Sequence, residues 1–274
     1  MKNVLDASVC LMIWWLLGSA VAGDGGNLFT GTNIFAFDLG DDDAIATSKW
    51  LLGYMYASAS VTIVSGAVAE RTHHIGYIMN AAVHTAAIFP AVSHWLWSAN
   101  GWLSYQNPDA VLGGVFDFAG SGVVHLTGGV LALVACMLVG PRAGRFSETG
   151  TPLELRGQSS SFIMLGTFFL WLGWLAFNMG STIGISTHAG ALTAARVGTR
   201  TMLGGSSGCV TVTGVEYFRS RTWSLPTTCY GILSGLVAVT ASCATISGWA
   251  AVSIGAVGAL LYYVTSFLVL HVLK

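Results

Sequence analysis

The feature that most limits what this chain can become is a series of long apolar runs separated by short polar stretches. A helix that crosses a bilayer needs about 20 mainly apolar residues. Eight runs approach that length, at residues 4–22, 50–68, 75–97, 118–139, 160–179, 193–212, 228–245 and 249–272. Lipid offers the backbone no hydrogen-bond partner, so such runs are expected to be helices. Composition agrees: 54% of the 274 residues are hydrophobic and 8% are charged, against roughly 25% charged in a soluble domain. This excludes a soluble enzyme, a disordered regulator and a disulfide-rich secreted module. With 11 basic and 12 acidic residues the net charge is -1, so no basic field exists to hold nucleic acid. The expected fold is an all-α polytopic membrane protein, with residues 1–274 forming one membrane domain.

The first run has a second reading. Residues 1–23 have a basic start, an apolar stretch and an Ala20-Val21-Ala22 ending that suits a signal peptidase, against which Asp6 argues. Cys10, Cys136, Cys209, Cys229 and Cys243 are scattered through apolar stretches and read as small apolar filler. Gly120, Gly122, Gly128, Gly204, Gly205, Gly208, Gly255 and Gly258 read as helix-packing positions, since small residues let membrane helices approach closely.

Loop charge orients the chain. Counting from the N-terminus, one side collects Lys2, Arg71, Arg142, Arg145, Arg156, Arg219, Arg221 and Lys274, and the other Lys49, Arg196 and Arg200. Eight against three makes the first side cytoplasmic, with both ends of the chain there. The acidic cluster Asp41, Asp42, Asp43 then faces outward.

Ionisable residues inside spans are functional hypotheses by default. Asp117 opens the fourth run and His125 lies eight residues deeper, about 12 Å along a continuous helix and about 80° around it. Asp117 suits a structural role, accepting from free amides at a helix N-terminus. Trp97 ends the third run, either as an interfacial anchor or as a site for a cation over its indole face. Phe177 and Ser181, four apart on one helix face, lie in a run that also holds Asn178. A serine oxygen accepts from a cation and a phenyl ring plugs a pore, although ordinary aromatic packing also accounts for the run. Glu70-Arg71 reads as a charge pair at the end of the second run. Tyr56, about four turns above Glu70 on roughly the same face, points toward the outer mouth. His73 and His74 fall in a turn, His188 in an outer loop, and His84 lies inside a span and needs a partner. No metal-ligand spacing, Walker loop or G-x-S-x-G with a nearby base is present, so no cofactor is expected and the chain does not read as an enzyme.

Four runs carry a resemblance: Ser65-Gly66-Ala67-Val68-Ala69-Glu70-Arg71-Thr72, Asp117-Phe118-Ala119-Gly120-Ser121-Gly122-Val123-Val124-His125, Gly140-Pro141-Arg142-Ala143-Gly144-Arg145-Phe146 and Gly173-Trp174-Leu175-Ala176-Phe177-Asn178-Met179-Gly180-Ser181. They resemble the signatures of the Amt/Mep/Rh ammonium transporters, Amt branch, in order along nearly the whole chain. Asn3-Val4-Leu5-Asp6-Ala7 resembles the start of that family's second helix. The resemblance implies an eleven-helix fold of two inverted halves, assembled as a homotrimer with one pore per subunit. It implies that Trp97 and Ser181 help form an outer ammonium-recruitment site and that Phe177 belongs to the gate below it. Tyr56 stands where the family has its second gate or vestibule phenylalanine. Asp117 matches the structural aspartate, and His125 the first of two pore histidines; Glu70 and Asn178 fall in the matching motifs. By the same resemblance the chain corresponds to family helices two to nine. It reads as a fragment, a partial gene model or a truncated paralogue lacking the second pore histidine, for which His271 is a poor candidate.

The function expected is ammonium transport across the plasma membrane. Ammonium, or methylammonium as its analogue, is recruited at the aromatic vestibule. Ammonia passes a hydrophobic pore lined by His125, with or without a separately relayed proton, because carrying a full charge through apolar surroundings is very costly. One rival is a non-conducting paralogue acting as an ammonium sensor or partner subunit. The other is a membrane enzyme using Asp117 and His125, which their angular offset disfavours.

Overall fold

A computed structural model describes residues 2–32, 35–36, 43–155 and 157–273. Asp41, Asp42, Arg156 and Lys274 of the charge argument lie outside the described residues. Each apolar run corresponds to a helix: α1 Lys2–Ala22, α2 Ala44–Ala67, α3 His74–Trp97, α4 Ser121–Val139, α5 Ser160–Gly180, α6 His188–Ser220, α7 Leu225–Thr240 and α8 Gly248–Val272. Helices α1, α3, α4, α5 and α8 are long and apolar enough to cross a membrane. The protein is an all-helical, multi-pass membrane protein; among the described residues, β-pairing is confined to the isolated bridges Ser104–Val115 and Phe146–Pro152.

Side chains that compete with a helix interior are used at its start. Asp43 accepts from the amides of Ile45 and Ala46, Ser159 from Phe162, Thr187 from Gly190, Ser224 from Thr227 and Ser247 from Ala250. Each satisfies donors that an α-helix leaves free at its N-terminus. The exterior is apolar, with Met137, Leu138, Phe162, Phe169 and Leu172 exposed, while Asp6, Ser60, His84, Thr85 and Asn178 are buried. A chain solvated by lipid has no reason to hide its leucines and good reason to hide its polar atoms.

The chain divides into two compact units, residues 1–140 and 141–274. In the first, Lys2 Nζ donates to the Ala69 and Thr72 carbonyls at 2.8 and 2.7 Å and lies 4.3 Å from the centre of the Tyr77 ring. Arg71 donates to the carbonyls of Ala67, at 2.7 Å, and Gly140. The start of α1, the α2–α3 turn and the end of α4 therefore gather at one end. At the other, both ring nitrogens of His94 lie 2.7 Å from carbonyl oxygens, of Gly23 and Asn27, and Trp95 Nε1 donates to Phe29 O. In this unit three helices carry a π turn, Trp14–Gly18 in α1, His84–Ile88 in α3 and Ser121–Leu126 in α4, and a fourth, Val269–Leu273, closes α8 in the second.

In the second unit, glycines set the packing. A Cβ on Gly208 would come 2.4 Å from the Gly231 carbonyl, and one on Gly235 or Gly255 within 2.3 or 2.2 Å of the Gly204 carbonyl. Backbone meets backbone where α6, α7 and α8 cross, the close approach that dispersion-driven packing in lipid favours.

Three expectations change. The fourth run does not continue as helix from residue 118: Gly120 takes φ +100°, a left-handed turn, and α4 starts at Ser121. The offset of about 80° between Asp117 and His125, which assumed one helix, therefore does not hold. The seventh run is helical only to Thr240, and Arg200 donates to the Cys243 and Ala244 carbonyls beyond it at 3.1 and 2.6 Å. Finally, Arg71 turns its guanidinium on helix-end carbonyls while Glu70 is exposed in the turn. A guanidinium satisfies the orphan carbonyls of a helix C-terminus as well as it satisfies a carboxylate.

Candidate functional site

In the first unit, Asp117 organises the start of α4. Its Oδ1 accepts from the amides of Gly120 and Ser121 at 2.8 and 3.0 Å, and its Oδ2 from Gly122 and Val123 at 2.8 and 3.0 Å. Four backbone donors on one buried carboxylate form a charge-assisted cap on a helix N-terminus. Such a cap requires the chain to double back between residue 117 and the helix. Gly120 supplies that turn, where a Cβ would sit 2.6 Å from Val124 Cγ2.

The same turn presents a carbonyl to α3. Trp97 Nε1 donates to Asp117 O at 2.6 Å, which fixes the indole. The Tyr56 ring of α2 lies 5.0 Å from it, centroid to centroid, tilted by 47°. Two electron-rich rings are thus held together, Tyr56 buried and Trp97 half-buried. Ring faces attract ammonium-type cations. His125 sits half-buried in the π turn of α4, and its amide donates to Gly120 O at 3.0 Å. Tyr56, Trp97, Asp117 and His125 are thereby tied to one local framework of α2, α3 and α4.

The remaining residues belong to the second unit. Ser181 follows the end of α5, its hydroxyl donating to Phe177 O at 2.9 Å. Phe177 is half-buried. Asn178, fully buried, donates to the hydroxyls of Thr201 on α6 and Thr240 on α7, at 3.0 and 3.4 Å. Trp174 Nε1 also donates to the Thr240 hydroxyl, at 2.8 Å. Asn178 thus pins three helices from beside Phe177.

Sequence reasoning missed Ser60, Thr201 and Thr240. Ser60 carried a signal: it follows Tyr56 by four residues and shares its helix face. Thr201 and Thr240 carried none, because their partner Asn178 is 23 and 62 positions away. Among the described residues, no group of His, Cys, Asp or Glu is gathered closely enough to hold a metal ion.

The sequence profile of the Ammonium Transporter Family matches residues 1–274. The chain belongs to the ammonium transporter family. This is a family of transporters and not of enzymes. Curated members among its relatives include ammonium transporter 1 member 2 of Oryza sativa subsp. japonica, 38% identical over 271 residues, covering 94% of this chain and 55% of the relative. Ammonium transporter Amt2 of Archaeoglobus fulgidus is 38% identical over 262 residues, covering 94% of this chain and 55% of the relative. The chain therefore spans about half the length of these curated relatives. Among solved structures, a sensor Amt protein matches with a TM-score of 0.89 at 28% identity, covering 100% of this chain and 67% of that one. Saccharomyces cerevisiae Mep2 matches with a TM-score of 0.81 at 28% identity, covering 94% of this chain and 57% of that one.

Proposed function

We propose that this chain forms an ammonium transmembrane transporter of the plasma membrane, or the central part of one, with both ends of the chain cytoplasmic. Ammonium is recruited at the outer mouth by the Tyr56 and Trp97 rings and the Ser181 oxygen. Phe177 and Tyr56 gate the way below. Ammonia then passes a hydrophobic pore in which the neutral His125 imidazole is a hydrogen-bond partner. Asp117, Glu70 and Asn178 are structural. The substrate is ammonium, with methylammonium as an analogue, and the assembly is a homotrimer.

The observation that carries this reading is the Tyr56–Trp97 ring pair, braced on the same turn that starts the histidine-bearing helix. A cation prefers such a pair to lipid, and stripping its proton before the apolar passage avoids burying a charge. The test is methylammonium uptake into proteoliposomes holding the purified chain, wild type against Trp97→Leu. Trp97→Leu is expected to lower uptake several-fold at low substrate and little at saturation. Equal uptake at every concentration makes Trp97 an interface anchor only.

A second reading has its own support. A protein named as an Amt sensor is among the structural neighbours. On this reading the chain binds ammonium, or joins full-length subunits, without conducting. Co-purification with a full-length homologue, saturable ammonium binding and no flux of its own decide for it.

A further inference from the structure

His84 lies within the membrane helix α3, outside every motif that marks the vestibule, and is 1% exposed. Its Nε2 is 3.0 Å from the hydroxyl oxygen of Ser60, and that hydroxyl is 3.0 Å from the carbonyl oxygen of Val124. A serine has one proton to give. A carbonyl only accepts, so the Ser60 proton goes to Val124 O. His84 Nε2 must then supply the proton of the other bond. The ring is held as the Nε2–H tautomer, and its buried Nδ1, without a hydrogen-bond partner among the described residues, keeps a lone pair.

The Val124 carbonyl is half of the peptide unit that leads into His125. The other half, the His125 amide, donates to Gly120 O at 3.0 Å. A peptide unit is planar, so bonds on both sides fix the plane from which the His125 side chain departs. The contact exists because α2 and α4 nearly touch: a Cβ on Gly128 would lie 2.8 Å from Ser60 O. His84 is itself held, since its neighbour Thr85 donates to Cys10 Sγ at 3.1 Å and the Thr85 carbonyl would lie 2.6 Å from a Cβ on Gly18. His84 and Thr85, both buried, open the π turn at residues 84–88 of α3. Such turns gather at functional sites.

We propose that His84 and Ser60 are positioning residues for His125, acting through the Val124 carbonyl to set the orientation of the pore imidazole. The proposal rests on the reading of His125 as the pore histidine. Bonds in series polarise one another, so a change at His84 is felt at His125 without contact between the two rings.

The test is nitrogen-15 NMR of histidine-labelled chain in lipid nanodiscs, with His84 and His125 assigned from single substitutions. Wild-type His84 is expected to carry its proton on Nε2 with Nδ1 bare. Ser60→Ala is expected to abolish that preference and to shift the His125 ring resonances. His84→Leu is expected to shift the His125 resonances too, and His84→Gln, which keeps a terminal N–H, to leave them near wild type. A wild-type His84 protonated on Nδ1, or His125 resonances identical in wild type, Ser60→Ala and His84→Leu, overturns the proposal. The measurement needs no transport, so failure of the pore reading registers separately, as unchanged methylammonium selectivity in His125→Ala.

Discussion

At the scale of single residues, the start of α4 hangs on Asp117 and Gly120. Asparagine in place of Asp117 keeps one acceptor oxygen and turns an amino group toward two backbone amides. Two of the four bonds to Asp117 are then lost, at a cost of about 2–4 kcal/mol for bonds to a buried charge. Asp117→Asn is therefore expected to melt at clearly lower temperature in detergent, followed by tryptophan fluorescence; an unchanged melting curve contradicts this account of the cap. Gly120→Ala forces a Cβ into a left-handed turn at φ +100°, a strain of about 1–2 kcal/mol. It also presses that Cβ to 2.6 Å from Val124 Cγ2. It is expected to lower the melting temperature and to disturb His125 through the same turn. His125 is different in kind, since the role proposed for its imidazole is in the pore. His125→Ala is expected to alter methylammonium flux or its ratio to ammonium flux while leaving the melting curve within a few degrees, and the two assays together check it.

At the scale of elements, the helices were legible because each is a run of apolar residues, and their order follows from the order of the runs. The turn chemistry was legible in part. Asp117 has the residue type and place of a capping acid, but the left-handed break at Gly120 lay hidden inside a continuous apolar run. The π turns were equally hidden, because an extra residue in a helical turn changes the hydrogen-bond register and not the hydropathy. The pairing of Tyr56 with Trp97 was reachable only through family resemblance, since the two are 41 positions apart on different helices. His84 was flagged as a histidine in need of a partner, and nothing local named Ser60. The loop after α1 shows how such distant contacts fix an element. Both nitrogens of His94 lie 2.7 Å from its carbonyl oxygens, of Gly23 and Asn27, and a ring N–H donates there. His94→Leu removes the donor, and His94→Gln restores an amide donor on a more flexible stem. Limited proteolysis at residues 24–31 is expected to run several-fold faster in His94→Leu than in wild type, with His94→Gln between them. Equal rates in all three would mean that the loop is held by its other contacts, among them those from Trp95, Ala99, Asn100 and Trp102.

At the scale of the whole molecule, the threading proposed above rests on charge placement and helix length. Helix α6 has 33 residues, about 50 Å at the usual rise, against a hydrocarbon core of about 30 Å. Its excess is charged at both ends. Arg200 is spent on the Cys243 and Ala244 carbonyls. Sixteen positions on, about 24 Å along the axis, Glu216 accepts from Tyr263 OH at 2.6 Å and faces Arg219 at 3.4 Å. The intervening stretch, with Gly204, Gly205 and Gly208 at its centre, is of a length to fit the apolar layer. Arg219 and Arg221 then fall on the side that collects Arg142 and Arg145 in the loop count, and Arg196 and Arg200 on the opposite one. In the first unit, Lys2 and Arg71 meet at one end and the loop held by His94 lies at the other. Short epitope tags inserted after Gln106 and Ile185 are therefore expected to bind antibody on intact cells. Tags after Gly144 and Thr222 are expected to bind only after permeabilisation. The reverse pattern would invert the chain and place the Tyr56–Trp97 ring pair on the cytoplasmic side, where it would meet ammonium leaving rather than ammonium arriving. Neighbouring tags that read the same side would mean that the helix between them does not cross: α4 for the tags after Gln106 and Gly144, α5 for those after Gly144 and Ile185, and α6 for those after Ile185 and Thr222.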